Sequence, residues 1–377
     1  GNLTEIRTCY DVTFYDLFVM VDEKEKSLEK SYNIIYFTVV SDFDELQIDL
    51  ALNMEVLLIE FEGVQLEYSR EFDAVFIDFP RILKKGEQAN IKLWYSGYPR
   101  QAVNAPWDGG FSWKKDDNGN PWIGVSCQGL GASVWWPCKD HQSDEPDSMR
   151  ITCTARYPSK IISNGDLRKD TSEWNQYFNS WVNVSEWFVS YPINNYNVSV
   201  QIGNYVAVQD TFIKGDTTHY MNHYVLDYNE EVAQNYFPQS KEVIRFYEKY
   251  FGDYQWWDDG YKLIEAPYLG MEHQSAVTYG NGLSIYNGVR SSSWAMYGGI
   301  DPLIIHESGH EWFGNSVTAI DPTHIWIHEG LQVYSEALYF EDKFNSYPVG
   351  VDYLKSIKSR IQNKIPIVFN FPKMAKQ

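Results

Sequence analysis

The sequence predicts an α+β protein in which a β-rich domain is followed by a mixed α/β domain. The chain has 377 residues, which is more than one hydrophobic core usually serves. Up to about residue 204, short runs of aromatic and β-branched residues alternate with turn residues, a pattern typical of strands. After Gly203, apolar residues recur at helical spacing. We therefore expect a β-rich domain over 1–203 and a second domain over 204–377.

The strand-like runs of the first domain include Tyr32–Val40, Ala74–Ile77 and Ile91–Tyr95. A cluster of turn residues at 117–121, reading Asp-Asn-Gly-Asn-Pro, lies between two tryptophans and predicts the tip of a hairpin. The oxygen-bearing side chains of this cluster leave a calcium site as the alternative interpretation.

The second domain is predicted to mix helices with at least one strand. A helix is expected after Pro238, because the residues that follow place an apolar face at helical spacing, formed by Val243, Ile244, Tyr247, Tyr250 and Phe251. A strand over 261–264 and helices over about 301–312 and 329–340 complete the prediction.

Charge and composition exclude some classes of function. The net charge of −20 repels nucleic acid and favours a cationic ligand such as a free peptide N-terminus, although solubility alone also explains it. No apolar run approaches the roughly 18 residues of a membrane helix. The four cysteines lack metal-ligand spacing, so we expect buried thiols at positions 9, 127, 138 and 153.

The compartment stays open at this stage. The sequence shows no signal peptide. Gly1 resembles the residue that tag removal leaves behind, which allows for an export signal that has been cut away. The expectation is therefore an extracytoplasmic or secreted protein if a signal was removed, and a cytoplasmic one otherwise.

The segment His-Glu-Ser-Gly-His at 306–310 predicts a metal site. His306 and His310 lie four residues apart and share one face of a helix, so both imidazoles can bind one zinc ion. Glu307 between them can act as general base toward the water on the metal. Because a catalytic zinc usually has three protein ligands and a water, a third ligand is expected nearby.

Glu329 is the candidate for this third ligand. It follows His310 after 18 intervening residues (329 − 310 − 1) and opens the second predicted helix. A chance occurrence of the His-Glu-x-x-H pattern is the alternative, and the additional carboxylate makes it less attractive. We expect one zinc ion on His306, His310 and Glu329.

This spacing resembles the gluzincin zinc aminopeptidases, the family of aminopeptidase N and the leukotriene epoxide hydrolase. The Trp-Phe-Gly-Asn at 312–315 and the Trp, Glu-Gly and later Glu of 326–336 are also similar, with His328 in place of the usual Asn. The resemblance implies a β-rich saddle domain, a thermolysin-like zinc domain and a hydrogen bond from a zinc-ligand histidine to Glu336. A surface salt bridge is the alternative for Glu336.

The resemblance also suggests how substrate is bound. Segment 269–274 reads Leu-Gly-Met-Glu-His-Gln and is similar to the family's Gly-Ala-Met-Glu-Asn motif, which implies that Gly270, Met271 and Glu272 bind substrate and that Glu272 faces the α-ammonium. Gln128, nine residues before Pro137, matches a family glutamine that helps to bind the amine; a buried structural glutamine is the alternative. Glu272 and Gln128 fall in different predicted domains.

The end of the chain departs from the family pattern. We find no Tyr in the Tyr-x-Lys-Gly-like context that supplies an oxyanion donor before Gln377, and no helical C-terminal domain. The expectation is a truncated zinc domain, with that Tyr beyond Gln377 and poor catalysis by this chain alone.

Two further alternatives remain at the sequence level. His219 and His223, four apart in a strand-like run, indicate surface histidines or a second metal site. The overall function is predicted to be removal of N-terminal residues from peptides. A zinc hydrolase of another electrophile such as an epoxide, or a non-catalytic peptide-binding protein, are the alternatives. The preferred N-terminal residue and the oligomeric state cannot be inferred.

Overall fold

The computed structural model describes residues 3–280 and 301–361. Within these ranges the strands are β1 (Tyr10–Asp22), β2 (Ser27–Val39), β3 (Phe43–Asp49), β4 (Met54–Phe61), β5 (Val64–Gln65), β6 (Tyr68–Glu71), β7 (Ala74–Leu83), β8 (Gln88–Gly97), β9 (Gly110–Lys115), β10 (Pro121–Ser126), β11 (Ser148–Arg156), β12 (Lys160–Ser163), β13 (Asp166–Asn175), β14 (Ser180–Val189), β15 (Val200–Gly203), β16 (Tyr205–Lys214), β17 (Thr217–Leu226), β18 (Leu263–Glu265), β19 (Gly270–Met271) and β20 (Val277–Tyr279). The α-helices are α1 (Glu5–Thr8), α2 (Glu230–Tyr236), α3 (Gln239–Phe251), α4 (Pro302–Gly309), α5 (Trp326–Phe344) and α6 (Tyr347–Ile357). The predicted fold class, a β-rich part followed by an α/β part, is confirmed.

The chain forms two compact units. The first contains the described residues up to Tyr205 together with Ala266–Tyr268, and the second contains Val206–Glu265 and the described residues from Leu269 onward. Residues 266–268 belong to the first unit, although in the sequence they lie between β18 and β19 of the second unit.

The first unit is built from three sheets. The largest has eight strands in the order β13-β14-β11-β1-β2-β8-β4-β5, in which β1 and β11 run parallel. A four-stranded sheet (β12-β15-β10-β9) and a three-stranded sheet (β3-β7-β6) accompany it. The cluster at 117–121 joins the antiparallel strands β9 and β10, as the hairpin prediction requires. Asp116 accepts hydrogen bonds from the backbone N–H groups of Asn118 and Asn120, which is the bonding of an ordinary turn.

Aromatic side chains fill the core of the first unit. Trp136 packs edge-on against Tyr15 of β1 at 5.0 Å between ring centroids, and Trp135 contacts Phe111 of β9 at 5.8 Å. Both tryptophans are fully buried, so they join the eight-stranded and four-stranded sheets of this unit. The high aromatic content of the sequence is used in part here, because each such ring buries a large apolar area. All four cysteines are buried as expected.

The second unit combines a five-stranded sheet (β16-β17-β18-β20-β19) with helices α2 to α6. β17, β18 and β20 run parallel, and β19 pairs antiparallel with β20 at the edge. Helix α4 ends three residues before the predicted end at 312, and α5 begins three residues before the predicted start at 329. Glu329 therefore lies in the first turn of α5 instead of opening it. In the ranges 3–280 and 301–361, no helix has the length and apolar character that a membrane span requires.

Candidate active site

Helix α4 carries both histidines of the candidate site, and its first turn is fixed by a buried carboxylate. Asp301 caps the helix by accepting a hydrogen bond from Leu303 N at 2.9 Å. The same carboxylate accepts hydrogen bonds from the hydroxyls of Tyr236 and Tyr279, each at 2.6 Å. Pro302 occupies the first helical position, where a missing N–H costs nothing. Asp301 thus anchors α4 to α2 and to the sheet.

Packing behind α4 requires a glycine at position 309 of the His-Glu-Ser-Gly-His segment. A Cβ placed on Gly309 would lie 2.1 Å from Tyr247 Oη and 2.2 Å from Gln332 Oε1. Gln332 of α5 donates to the Tyr247 hydroxyl at 2.8 Å, and this hydroxyl also bonds Ser335 at 2.7 Å. Gly309 therefore lets α3 and α5 close on the zinc-motif helix with their buried polar groups paired.

Gly309→Ala is expected to lower the free energy of unfolding by about 1–3 kcal/mol, because the new methyl group overlaps a buried phenol and a buried amide. Chemical denaturation measures the change. Gly330→Ala on α5 is the matched control, since its nearest neighbour is Trp326 Cβ at 3.9 Å. The control should be neutral or slightly stabilising, as alanine is the better helix former. Equal effects of the two substitutions would contradict the packing argument.

Three side chains predicted as metal ligands converge at the open face of α4. His306 Nε2 and His310 Nε2 lie 3.2 Å apart, and Glu329 Oε2 lies 3.5 Å from the first and 3.8 Å from the second. Within the described residues, these three form the one group of histidine, cysteine or acidic side chains whose ligand atoms gather this closely. A tetrahedral zinc ion with bonds of about 2.0–2.1 Å keeps its donor atoms about 3.3–3.4 Å apart, so the observed separations fit.

The hydrogen bonds of the outer ring nitrogens show why a cation belongs between these groups. His306 Nδ1 donates to Glu336 Oε1 at 2.6 Å, and His310 Nδ1 donates to the carbonyl of Phe313 at 2.8 Å. In their neutral forms both rings then present an Nε2 lone pair to the same point. Two lone pairs and a carboxylate oxygen at such short range repel one another unless a cation is shared, and the donor set suits zinc.

A proton competes with a metal ion for the position between the two histidine rings. Burial by itself lowers the pKa of His306, but the hydrogen bond and charge of Glu336 outweigh burial and raise that pKa to about 10. Burial lowers the pKa of His310 to about 4. One ring is thus set to carry the extra proton and the other to stay neutral when no ion is bound, and binding of zinc releases the proton.

Glu336 lies where the resemblance implies, with its carboxylate 5% exposed and bonded to His306. Glu336→Gln keeps the hydrogen-bond acceptor but removes the charge that strengthens the imidazole as a ligand. We expect zinc affinity to fall about 10–100-fold, measured by competition with a chelator. Glu341→Gln, on the same helix, is the control and should leave the affinity unchanged. An unchanged affinity in Glu336→Gln would show that the contact is only structural.

Glu307 lies on α4 next to the edge strand β19. Its carboxylate is buried, and a Cβ placed on Gly270 of β19 would lie 2.5 Å from Glu307 Oε1. The absence of a side chain at residue 270 therefore leaves the room that this carboxylate occupies. Burial raises the pKa of Glu307 to about 8, with the charge of Glu329 adding to the shift. A carboxylate with a raised pKa in a water-poor site is suited to accept a proton.

Glu272 follows β19 directly and is 3% exposed. Burial raises its pKa well above the usual value, and the charges of Glu329 and Glu307 raise it further. The charges of Glu329 and Glu307 therefore both act on the Glu272 carboxyl group. Such a concentration of negative charge is stabilised by cations, and a metal ion and an ammonium group are both of the required sign.

Met271, predicted with Glu272, is buried on β19 opposite Thr278.

Gln128 lies in the first unit, two residues after β10 ends, and is partly exposed. The residues of the second unit that the sequence singled out are His306, Glu307, His310, Glu329, Glu336, Gly270, Met271 and Glu272. The joint action of Gln128 and Glu272 on a substrate amine stays a prediction.

Comparison with known proteins agrees with this geometry. The family model described as the peptidase family M1 domain matches residues 236–365. This part of the chain is similar to the peptidase family M1 domain. It contains the helices α4 and α5 and the edge strand β19 on which the candidate site is built.

Relatives of the M1 domain are aminopeptidases by name. Human endoplasmic reticulum aminopeptidase 2 is 31% identical over 140 residues, which cover 34% of this chain and 14% of that protein. The chain spans 14–30% of the length of the first curated relatives that it matches.

Solved structures share the fold. The M1 zinc metallopeptidase of Deinococcus radiodurans superposes with a TM-score of 0.75 at 19% identity, covering 95% of this chain and 76% of that one. Yeast LTA4 hydrolase gives a TM-score of 0.71 at 19% identity, covering 94% and 52%. Both likenesses confirm the strand-rich fold.

Three residues near the site support it through contacts that the sequence did not predict. Glu311 and Asn315, just after α4, bond the loop that contains Glu272. His328 is fully buried, and its Nε2 accepts a hydrogen bond from Ala319 N at 2.9 Å next to Glu329. Asn315 and His328 lie in the segments that resemble the family, but no local pattern predicts their contacts or that of Glu311, because each contact reaches a segment that is distant in sequence or outside a regular element.

The other histidine pair is explained by packing. His223 is fully buried, and its Nδ1 accepts a hydrogen bond from Leu263 N at 3.0 Å, so the interpretation as a surface histidine is wrong for this residue. His219 stacks on Trp257 with 4.3 Å between ring centroids. Both therefore have structural contacts on the sheet of the second unit.

Proposed function

We propose that the protein is a zinc-dependent aminopeptidase that removes N-terminal residues from peptides. The observation that carries the proposal is the convergence of His306, His310 and Glu329 at separations that suit one zinc ion. The M1 domain and the aminopeptidase names of its relatives support it. Because the chain covers only part of those relatives, the reaction and the substrate are inferred here from the site itself.

His306, His310 and Glu329 would hold a zinc ion, which when bound would supply a Lewis acid to polarise the scissile carbonyl and to make water a stronger acid. Glu307 takes the proton of the attacking water. Its buried carboxylate belongs to α4, the helix that carries both histidines, and its pKa is raised. It then returns the proton to the leaving amine. Glu336 holds the His306 ring in the tautomer that leaves Nε2 open toward the metal.

Glu272 binds the α-ammonium of the substrate. A buried carboxylate beside two others is costly by itself, and a cation in contact with it relieves both the burial and the mutual repulsion. A substrate whose α-nitrogen is acylated, or is joined to a preceding residue, carries no such charge at this position. The site therefore favours a free N-terminus, which makes the peptidase an exopeptidase.

The test compares amino-acid amides with their N-acetylated counterparts, using zinc-loaded protein. An aminopeptidase cleaves the free-amine amides only. Cleavage of both forms would replace the proposal by a less selective zinc hydrolase, and turnover of an epoxide with no amide cleavage would favour a non-peptide electrophile. Binding of the free-amine compounds without turnover at any protein concentration would indicate a peptide-binding protein.

Glu272→Ala is expected to lower kcat/KM for an amino-acid amide. The lost transition-state stabilisation should be about 2–5 kcal/mol, the cost of truncating one partner of a buried charged pair. Zinc content should stay at one ion per chain, because Glu272 is not among the three converging ligands. Steady-state kinetics and metal analysis check both outcomes. If the variant cleaves free-amine substrates as well as the parent protein does, Glu272 does not recognise the ammonium.

A further inference from the structure

The loop that contains Glu272 is the connection of a short hairpin. β19 ends at Met271 and β20 begins at Val277, so residues 272–276 form the loop between two antiparallel strands. All five are at most 3% exposed. Ala276 N donates to His273 O at 2.9 Å, which closes a turn with Ser275 at a central position.

This turn has an unfavourable backbone at Ser275. Its φ of 57° lies in the left-handed region, where a residue with a side chain is uncommon. Such a conformation persists when surrounding contacts hold it. The position of Glu272, three residues earlier in the same loop, depends on those contacts.

The contacts come from the segment that follows the second zinc-motif histidine. Glu311 Oε1 accepts a hydrogen bond from Ser275 N at 2.8 Å, and Glu311 Oε2 accepts one from Asn315 Nδ2 at 3.1 Å. Asn315 Nδ2 also donates to the backbone carbonyl of Glu272 at 3.0 Å. Glu311 is 2% exposed and Asn315 is 4% exposed, so water does not compete with these bonds.

Glu311 is joined to the zinc ligands by the backbone. It directly follows His310, and Asn315 N donates to His310 O at 3.0 Å. The carboxylate therefore connects the ligand end of α4 with the turn that presents Glu272. A buried carboxyl oxygen that accepts from a buried backbone N–H satisfies both groups where water cannot.

We propose that Glu311 is a positioning residue that sets the distance between the metal ligands and the ammonium-binding Glu272. The proposal rests on the proposed function of Glu272. It predicts that loss of Glu311 weakens ligands that bridge the metal and the amine site, and that ligands of the metal alone are unaffected.

The experiment uses two hydroxamates and the zinc-loaded protein. Alanine hydroxamate carries both a metal-binding group and an α-ammonium, and acetohydroxamate carries only the first. The ratio of their dissociation constants, measured by calorimetry, reports the amine site separately from the metal. Glu311→Ala is expected to reduce the advantage of alanine hydroxamate about tenfold or more, with acetohydroxamate affinity and zinc content retained.

Glu265→Ala is a matched control. Glu265 is 2% exposed and also accepts one backbone bond, from Leu226 N at 2.9 Å, and one amide bond, from Asn229 Nδ2 at 2.8 Å. This variant should lose thermal stability to a similar degree but keep the ratio. Glu311→Gln retains an oxygen acceptor for Ser275 N and should recover much of the ratio. If Glu311→Ala does not fold, Asn315→Ala takes its place: it removes the bond to the Glu272 carbonyl and should also reduce the ratio.

The outcomes are separable. An unchanged ratio in zinc-loaded Glu311→Ala, or an equal drop of the ratio in Glu265→Ala, overturns the positioning role. Glu272→Ala is measured alongside: if it too leaves the ratio unchanged, the ammonium assignment of Glu272 fails first. If Glu272→Ala abolishes the advantage and Glu311→Ala reduces it, the double variant should show no further loss, because both act on one contact.

Discussion

Glu307→Gln is expected to reduce the turnover of an amino-acid amide by about 10²–10⁴-fold, the usual contribution of a positioned general base. Glutamine nearly matches glutamate in shape but cannot accept a proton. Zinc should remain bound at the same stoichiometry, because the ligand atoms that converge belong to His306, His310 and Glu329. Turnover is measured at saturating substrate, and metal content is measured on the same sample.

Glu230→Gln, on the exposed side of α2, is the control for the chemical change itself and should leave turnover intact. Loss of zinc in Glu307→Gln would mean that Glu307 contributes to metal binding. Turnover that stays within a few-fold of the parent protein would mean that another group accepts the proton.

The second large effect concerns the metal. Glu329→Ala removes the one carboxylate among the three converging ligand groups, so the remaining site has two neutral imidazoles. We expect zinc affinity to fall by more than the roughly 10–100-fold expected for a change at the outer partner Glu336. Each tenfold loss removes about 1.4 kcal/mol of the stabilisation that a fixed zinc concentration supplies.

Thermal unfolding with zinc and with a chelator checks this expectation. The parent protein should lose stability on chelation and regain it when zinc is restored, whereas Glu329→Ala should respond little to either treatment. His324→Ala, in the short turn before α5, is the control and should behave like the parent protein. A zinc response in Glu329→Ala as large as in the parent protein would show that Glu329 is not a ligand.

Local patterns were sufficient for the parts of the site that depend on one helix. His306 and His310 share a face of α4 because helical geometry repeats every 3.6 residues, and this holds whatever the helix packs against. The same local logic predicted the helix after Pro238, the hairpin at 117–121 and the change from strands to helices after Gly203. Helix ends were less accurate, because α4 and α5 end and begin where tertiary contacts decide.

The approach of Glu329 to the histidines is a property of packing. It requires α4 and α5 to lie close together, which Gly309 permits and the buried bonds of Tyr247 and Gln332 stabilise. The family resemblance pointed to Glu329 and Glu336, but spacing along the chain alone does not bring the Glu329 carboxylate within 4 Å of both imidazoles.

The sequence by itself determined the fold class and predicted the two histidines of the metal site, and the family resemblance added Glu272, Glu329 and Glu336 as predictions. Only the tertiary structure showed that Glu311, 36 residues after Ser275, holds the turn that contains Glu272, and that His223 on β17 is fully buried. The physical reason is the range of the interactions. Helix and strand periodicity follow from neighbouring residues, whereas a hydrogen bond between a buried carboxylate and a distant N–H exists only after the chain has packed.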